Sequence, residues 1–284
     1  MREPEHVIPH DRLPEGFAER VEDPPDPPAR PRPAATIALL RPGTGAPEVL
    51  LLRRSRSAGF VPGAYVFPGG RVDAEDGDPE LLKRLEGLDP RWASERLGLP
   101  LEHEPAALGF WAAALREAFE ETGILVARRR DGGPPPTAAA DPRVEELRRK
   151  IMDSEHLFPE VLDRLECRLD ARRVAYIGHW ITPVAEPRRY DARFFAAAVS
   201  DETRAVVDRR EMTDHAWITP REALERFRAG SLPMIFPTVK TLEELARFSS
   251  PEAVLHAYRR RAIPTRLPRL VRTEEGVGTV LERT

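Results

Sequence analysis

Two short apolar runs, Ala35–Leu40 and Val49–Arg53, have the length and composition of strands and are joined by the turn Pro42-Gly43-Thr44-Gly45. From Pro105 to Leu115 the chain is rich in Ala and Leu with no glycine after Gly109, which predicts a helix. Gly123 falls where that helix would end in a left-handed cap, and Ile124-Leu125-Val126 reads as a strand beyond it. Apolar spacing at Leu147, Ile151, Phe158, Val161 and Leu165 predicts helices over about 142–153 and 156–165. Strands resume at Ala175–Thr182 and Arg193–Val199, and His215–Ile218 forms another short one. Pro220 opens a helix over Glu222–Ala229 with Thr219 as its N-cap. Helices over Thr241–Phe248 and Pro251–Arg261 complete the pattern, and no internal repeat is present.

Between these elements the chain changes character. Residues 1–33 are rich in proline and charge, notably Pro24-Pro25-Asp26-Pro27-Pro28, and predict an extended or partly disordered arm. Pro79–Leu85 has short-helix periodicity and is followed by a proline-broken segment. Arg128–Pro136 reads as a basic loop rich in Gly and Pro.

Composition narrows the class. A chain of 284 residues, 41% hydrophobic, can bury one sizeable core with an added helical region. A net charge of −3 leaves no nucleic-acid footprint. No apolar run approaches the ~20 residues needed to cross a membrane, and the charged start predicts no signal peptide. The single cysteine, Cys167, excludes an internal disulfide and suits a reducing cytoplasm; nothing around it suggests an activated thiol. The final residues, Glu282-Arg283-Thr284, do not form a peroxisomal address.

The chemistry concentrates at Arg116-Glu117-Ala118-Phe119-Glu120-Glu121-Thr122-Gly123-Ile124. Glu117, Glu120 and Glu121 are spaced i, i+3, i+4 and project from one side of the helix. They repel one another near a C-terminal end, where the helix dipole also disfavours anions. One reading is a solvated acidic face. The other is a site for a hard divalent cation, which takes oxygen ligands and offsets the repulsion. Upstream, Phe67-Pro68-Gly69-Gly70 reads as a strand end and a glycine loop that lets backbone approach a ligand.

Together these residues resemble the Nudix hydrolase signature G-x5-E-x7-R-E-U-x-E-E-x-G-U, in which U is a bulky aliphatic residue. Arg116, Glu117, Glu120, Glu121, Gly123 and Ile124 match its second half. Gly70 matches the opening glycine, but the residue six later is Asp76 where the signature has Glu. Arg116 follows Gly70 by 46 residues where the pattern has 14, an insertion of about 32. An interrupted box of this kind is similar to the long-insert coenzyme A diphosphatase branch of the superfamily. Leu50–Ser55, Gly59–Gly70, Gly178–Pro183 and Arg189–Phe195 extend that likeness, which covers roughly residues 34–250. In the coenzyme A motif of related diphosphatases, L-L-T-x-R-[SA]-x3-R-x3-G-x3-F-P-G-G, Arg54 fits the first arginine, while Gly59 stands at the second.

The resemblance implies an α/β fold: a Nudix-type α/β/α sandwich with a mixed sheet and inserted helical segments. The expected organisation is a Pro-rich arm over 1–33, a hydrolase domain over 34–250 with insertions at about 77–107 and 130–170, and a C-terminal helix and tail over 251–284. The inserted helices would cap the site, form a homodimer surface or simply extend the core.

The same resemblance implies Mg²⁺ or Mn²⁺ as cofactor and a small-molecule nucleotide substrate. Coenzyme A or an acyl derivative leads; ADP-ribose, dinucleotides or nucleotide sugars are the rivals, and a catalytically weak nucleotide-sensing module is a third reading. Glu117, Glu120 and Glu121 are the expected metal ligands, with a backbone carbonyl near Gly69 or Gly70 completing the set. Arg116 would orient a box glutamate. Glu211 is the candidate base or extra ligand, with Asp208 and Asp214 nearby. Arg53, Arg54 or Arg56 would hold the anionic substrate, or lie idle at a strand end. His179 reads as a histidine hydrogen-bonded in the core.

Overall fold

The computed structural model describes residues 4–55, 62–103, 106–153, 158–207 and 212–281. The elements begin with β1 (His6–Pro9), α1 (Phe17–Glu22), β2 (Arg32–Arg41), β3 (Glu48–Arg54), β4 (Tyr65–Val66) and β5 (Gly69–Arg71). They continue with α2 (Pro79–Leu82), β6 (Leu85–Glu86), α3 (Pro90–Leu97), α4 (Ala107–Thr122), β7 (Ala127–Arg129), α5 (Pro142–Asp153), α6 (Phe158–Arg164) and β8 (Cys167–Asp170). Then follow β9 (Val174–Ile181), β10 (Tyr190–Ala198), β11 (Met212–Ile218), α7 (Pro220–Arg228), α8 (Phe236–Leu245), α9 (Pro251–Tyr258), β12 (Thr265–Arg266), β13 (Arg269–Arg272) and β14 (Gly276–Val280).

The main sheet runs β11-β3-β2-β10-β9-β12 and is mixed: β2 pairs parallel to β10, and β10 pairs antiparallel to β9. Strands β2 and β3 pair only at their turn end, Leu40↔Val49 and Arg41↔Glu48. Beyond it they diverge, and the gap is filled by β4 on β3 and β5 on β2. The glycine loop therefore lies within the sheet and is not a surface excursion.

Side-chain alternation builds the two outer layers. Ala35, Ile37 and Leu39 of β2 and Leu50 and Leu52 of β3 pack in one cluster with α4. Ala38 and Leu40 of β2 and Val49 and Leu51 of β3 face the other way, onto α7, α8 and α9. This is the α/β/α sandwich the sequence predicts. Helix α4 is buried on nearly every side, Phe110 to Leu115 being almost inaccessible, because α2, α3 and α5 cover the flank that the sheet does not.

Several expectations are corrected. The proline-rich arm is not simply extended: β1 pairs antiparallel with β14, and β14 with β13, so the two ends of the chain form a small sheet under α1. The proline-broken stretch of the first insertion contains α3, with Pro90 at its first turn and Asp89 accepting from Trp92 N. Ile124–Val126 is a buried connection in which Ala127 N closes on Leu125 O at 3.0 Å, and the strand begins at Ala127. Helix α8 starts at Phe236, ahead of the expected Thr241, and three strands follow α9. The inserted helices do extend the core, as one of the expected readings has it: Leu81, Ala93, Leu97, Val144, Ile151 and Phe158 join the α4 cluster directly. Thr219 does cap α7, its hydroxyl accepting from Glu222 N at 3.3 Å. No helix among the described residues is long and apolar enough to cross a membrane.

Candidate active site

Helix α4 ends at Thr122 because Gly123 turns left-handed (φ +67°), its N–H closing on Phe119 O at 2.8 Å. That stop fixes the acidic residues in the last two turns, over β5. Gly69 N donates to Glu121 Oε2 at 3.0 Å. A Cβ on Gly70 would lie 2.4 Å from Glu117 Oε1, and one on Gly69 would lie 2.5 Å from Ala35 O. A side chain at Gly69 would run into the backbone of β2, whereas one at Gly70 would displace the carboxylate end of Glu117.

Arg116 organises the rest. It is buried, and all five of its N–H groups are engaged. Nε and Nη2 form a two-point fork on Asp76 at 2.8 and 2.9 Å. Nη1 donates to Glu117 Oε1 and Glu120 Oε2, each at 3.1 Å, and Nη2 also reaches Arg71 O. Asp76 is buried and held from behind by Asp73 N at 2.9 Å, within a reciprocal capping box. The separation of 40 positions between Asp76 and Arg116 therefore leaves the pairing intact. Asp76 occupies the place of the missing signature glutamate as the partner of Arg116.

The electrostatics follow from burial. Burial disfavours the Arg116 charge, but Asp76, Glu117 and Glu120 outweigh it and hold the guanidinium firmly protonated. Burial raises Asp76 above the ordinary carboxylate range against the pull of Arg116. Burial also pushes Glu117 up to about 8, opposed by Arg116 and reinforced by Glu120 and Asp76. One guanidinium thus serves three carboxylates in a nearly dry pocket.

The remaining candidates separate. Leu50 and Leu52 face α4, so Arg54 continues on that face while Arg53 turns to the opposite one, its guanidinium lying 5.9 Å from the Tyr65 ring. Arg54 Nε is buried without a hydrogen-bond partner. Of the two, only Arg54 shares the face of the glutamates. Asp214 is an exposed residue of β11, paired opposite Arg53 beside a register shift, and its carboxylate accepts from His215 N. Glu211, Asp208 and Arg56 lie outside the described residues. His179 is a core histidine, Nε2 bonded to Asp191 at 2.6 Å and Nδ1 to Thr265 at 2.8 Å. Cys167 is buried and its thiol is pushed up to about 11, mainly by burial, so it is no nucleophile at neutral pH.

The donor set fits a hard divalent cation: it is all oxygen, in excess of positive charge, against glycine backbone that leaves carbonyls accessible. Among the described residues no three carboxylates converge on one position. Glu117 and Glu120 turn to Arg116, and Glu121 turns to Gly69 N–H. The sequence pattern signals neither the Asp76 fork nor a second contact: Arg148 of α5, fully buried, donates from Nε to Glu120 O at 2.8 Å.

A split mixed sheet with an R-E-x-x-E-E helix end over a glycine strand defines a Nudix-type fold. A family profile for the NUDT19 Nudix domain matches residues 32–248, and the chain belongs to that family. Acyl-coenzyme A diphosphatase NUDT19 of Gallus gallus is 34% identical over 239 residues, spanning 72% of this chain and 62% of the relative. The Homo sapiens protein of the same name is 30% identical over 251 residues, spanning 79% of this chain and 64% of the relative. The chain thus spans less than two thirds of the length of these curated relatives. A solved Nudix hydrolase from Alicyclobacillus acidocaldarius superposes with a TM-score of 0.66 at 25% identity, covering 80% of this chain and 96% of that one.

Proposed function

We propose that this chain is a metal-dependent Nudix hydrolase that cleaves the diphosphate of coenzyme A or an acyl-coenzyme A. The products are adenosine 3′,5′-bisphosphate and the phosphopantetheine fragment. The observation that carries the reading is the buried excess of carboxylate around Arg116, set against the Gly69-Gly70 backbone. Such a cluster is unfavourable by itself and is made useful by a cation.

Glu120 and Glu121 are the principal ligands in this reading, with Glu117 and the Gly70 carbonyl beside them. A bound Mg²⁺ or Mn²⁺ supplies charge withdrawal from the diphosphate oxygens and acidifies a bound water. Asp76 and Arg116 lock the glutamate carboxylates in place. Arg54, on the sheet face that packs against α4, is the strand arginine assigned in this reading to a substrate phosphate. Glu211 remains the candidate for accepting the proton of the attacking water. The lone buried cysteine suits a cytoplasmic setting.

Gly59, standing where the coenzyme A motif has its second arginine, favours keeping ADP-ribose, dinucleotides and nucleotide sugars in view. Incubation of the full chain with each of these, coenzyme A and acyl-coenzyme A, in Mg²⁺ and in Mn²⁺, decides by product mass. The expected products are those of coenzyme A cleavage at the diphosphate. Turnover of ADP-ribose or a nucleotide sugar alone would replace the substrate, and no turnover of any would leave a binding module.

A further inference from the structure

The end of α4 is buried, so its last carbonyls need partners inside the protein. Thr122 O accepts from Val206 N at 2.8 Å, and Gly123 O accepts from Ala138 N at 3.4 Å. Glu120 O receives something different: the charged guanidinium of Arg148, through Nε at 2.8 Å. Arg148 comes from α5, in the second insertion, and its side chain is 1% accessible. Nη1 is tied to Glu145 at 2.9 Å, and Nη2 is buried without a hydrogen-bond partner.

A fully buried arginine carries a large desolvation cost, and this one recovers only part of it through Glu145. Packing alone does not call for it, since its neighbours Val144 and Ile151 on α5 are apolar. Its position answers a specific need. The C-terminal end of α4 gathers the negative end of a helix dipole and three glutamates, all of one sign. Arg116 opposes that charge from the carboxylate side; Arg148 opposes it from the backbone side, on the carbonyl of Glu120 itself.

We propose that Arg148 is a positioning residue: it clamps the Glu120 peptide so that Glu120 and Glu121 hold the spacing a divalent cation requires. This rests on the metal-dependent reading given above. It also assigns the second insertion a purpose, as a buttress that carries a cation to the rear of the acidic helix end.

The test is Mn²⁺ titration of the full chain, with free Mn²⁺ read by electron paramagnetic resonance, alongside melting temperature. Losing one charge-assisted hydrogen bond should weaken Mn²⁺ binding roughly tenfold in Arg148→Met. Arg148→Lys, which keeps the charge and can still donate to a carbonyl, should recover most of that loss at a similar melting temperature. A structural filler would give the opposite pattern, with Met tolerated and Mn²⁺ affinity unchanged. Wild-type affinity in folded Arg148→Met overturns the proposal. If that variant does not fold, Glu145→Ala replaces it by freeing one end of the guanidinium. A loss of roughly threefold is then expected, and none overturns the proposal. Wild-type protein and Glu120→Gln are measured in parallel. If the wild type binds no Mn²⁺, the functional reading fails; if it binds and only Glu120→Gln loses affinity, the Arg148 proposal fails alone.

Discussion

Two buried polar clusters in this molecule use almost the same side chains to different ends. In the first, Asp191 accepts from His179 at 2.6 Å and from Arg193 at 3.1 Å, while Arg193 also donates to Leu97 O and the Tyr176 hydroxyl. One carboxylate meets two potential cations, and the group pins α3, β9, β10 and β12 together. In the second, one guanidinium meets Asp76, Glu117 and Glu120. The first cluster is closed by its own members. The second carries surplus negative charge that folding alone does not need. That surplus distinguishes a site from a structural knot, since burial and hydrogen bonding are common to both.

Breaking the acidic cluster at its hub should have the largest effect. Arg116→Met leaves Asp76 and Glu117 buried without their cation, and should cost about 3–5 kcal/mol in urea unfolding. Glu120→Gln should do the reverse, lowering turnover by roughly two orders of magnitude with the melting temperature held, because a neutral amide ligates Mg²⁺ poorly. Asp191→Asn tests the closed cluster. It should cost about 1–3 kcal/mol of stability and leave Mn²⁺ affinity untouched.

The pH responses should oppose each other. Glu117 is pushed up to about 8 by burial, so the folded chain keeps a proton that the unfolded chain has released. Stability without cation therefore falls as pH rises from the ordinary carboxylate range to about 8, then levels. Glu117→Gln should flatten that slope in thermal melts of chelator-treated protein. Burial pushes Asp191 up, but His179 and Arg193 outweigh it and set the carboxyl below its ordinary value. Its contribution is complete above the ordinary range and is lost as pH falls through the depressed value, so Asp191→Asn should soften only the acid limb. The smallest expected effect separates the two strand arginines. Arg54→Gln should raise the KM for coenzyme A roughly fivefold, as the loss of one charged hydrogen bond would, while Arg53→Gln leaves it unchanged.

Local features were readable in the sequence. The Ala- and Leu-rich body of α4, the stop at Gly123, the N-cap at Thr219 and the short apolar runs of β2 and β3 each depend on neighbours within a turn or two. The acidic end of α4 was visible for the same reason. What depends on distant chain was not. The Asp76 fork spans 40 residues and an insertion, and nothing in the spacing says that the chain returns. Arg148 looks like any arginine on an amphipathic helix, and only its burial separates it from exposed Arg143 and Arg149. The prolines around Pro90 read as a break, but Pro90 stands in the first turn of α3, whose Ala93 and Leu97 pack with α4. Strands β1, β13 and β14 are four or five residues each, too short to be read alone, and they pair only where the two ends of the described chain meet.

Anomalous diffraction from a crystal soaked in Mn²⁺ asks the central question without reference to any substrate. A manganese peak in contact with the Glu120 and Glu121 carboxylates is the predicted result. A fully soaked crystal with these carboxylates still on Arg116 and Gly69, and no peak between them, would contradict it.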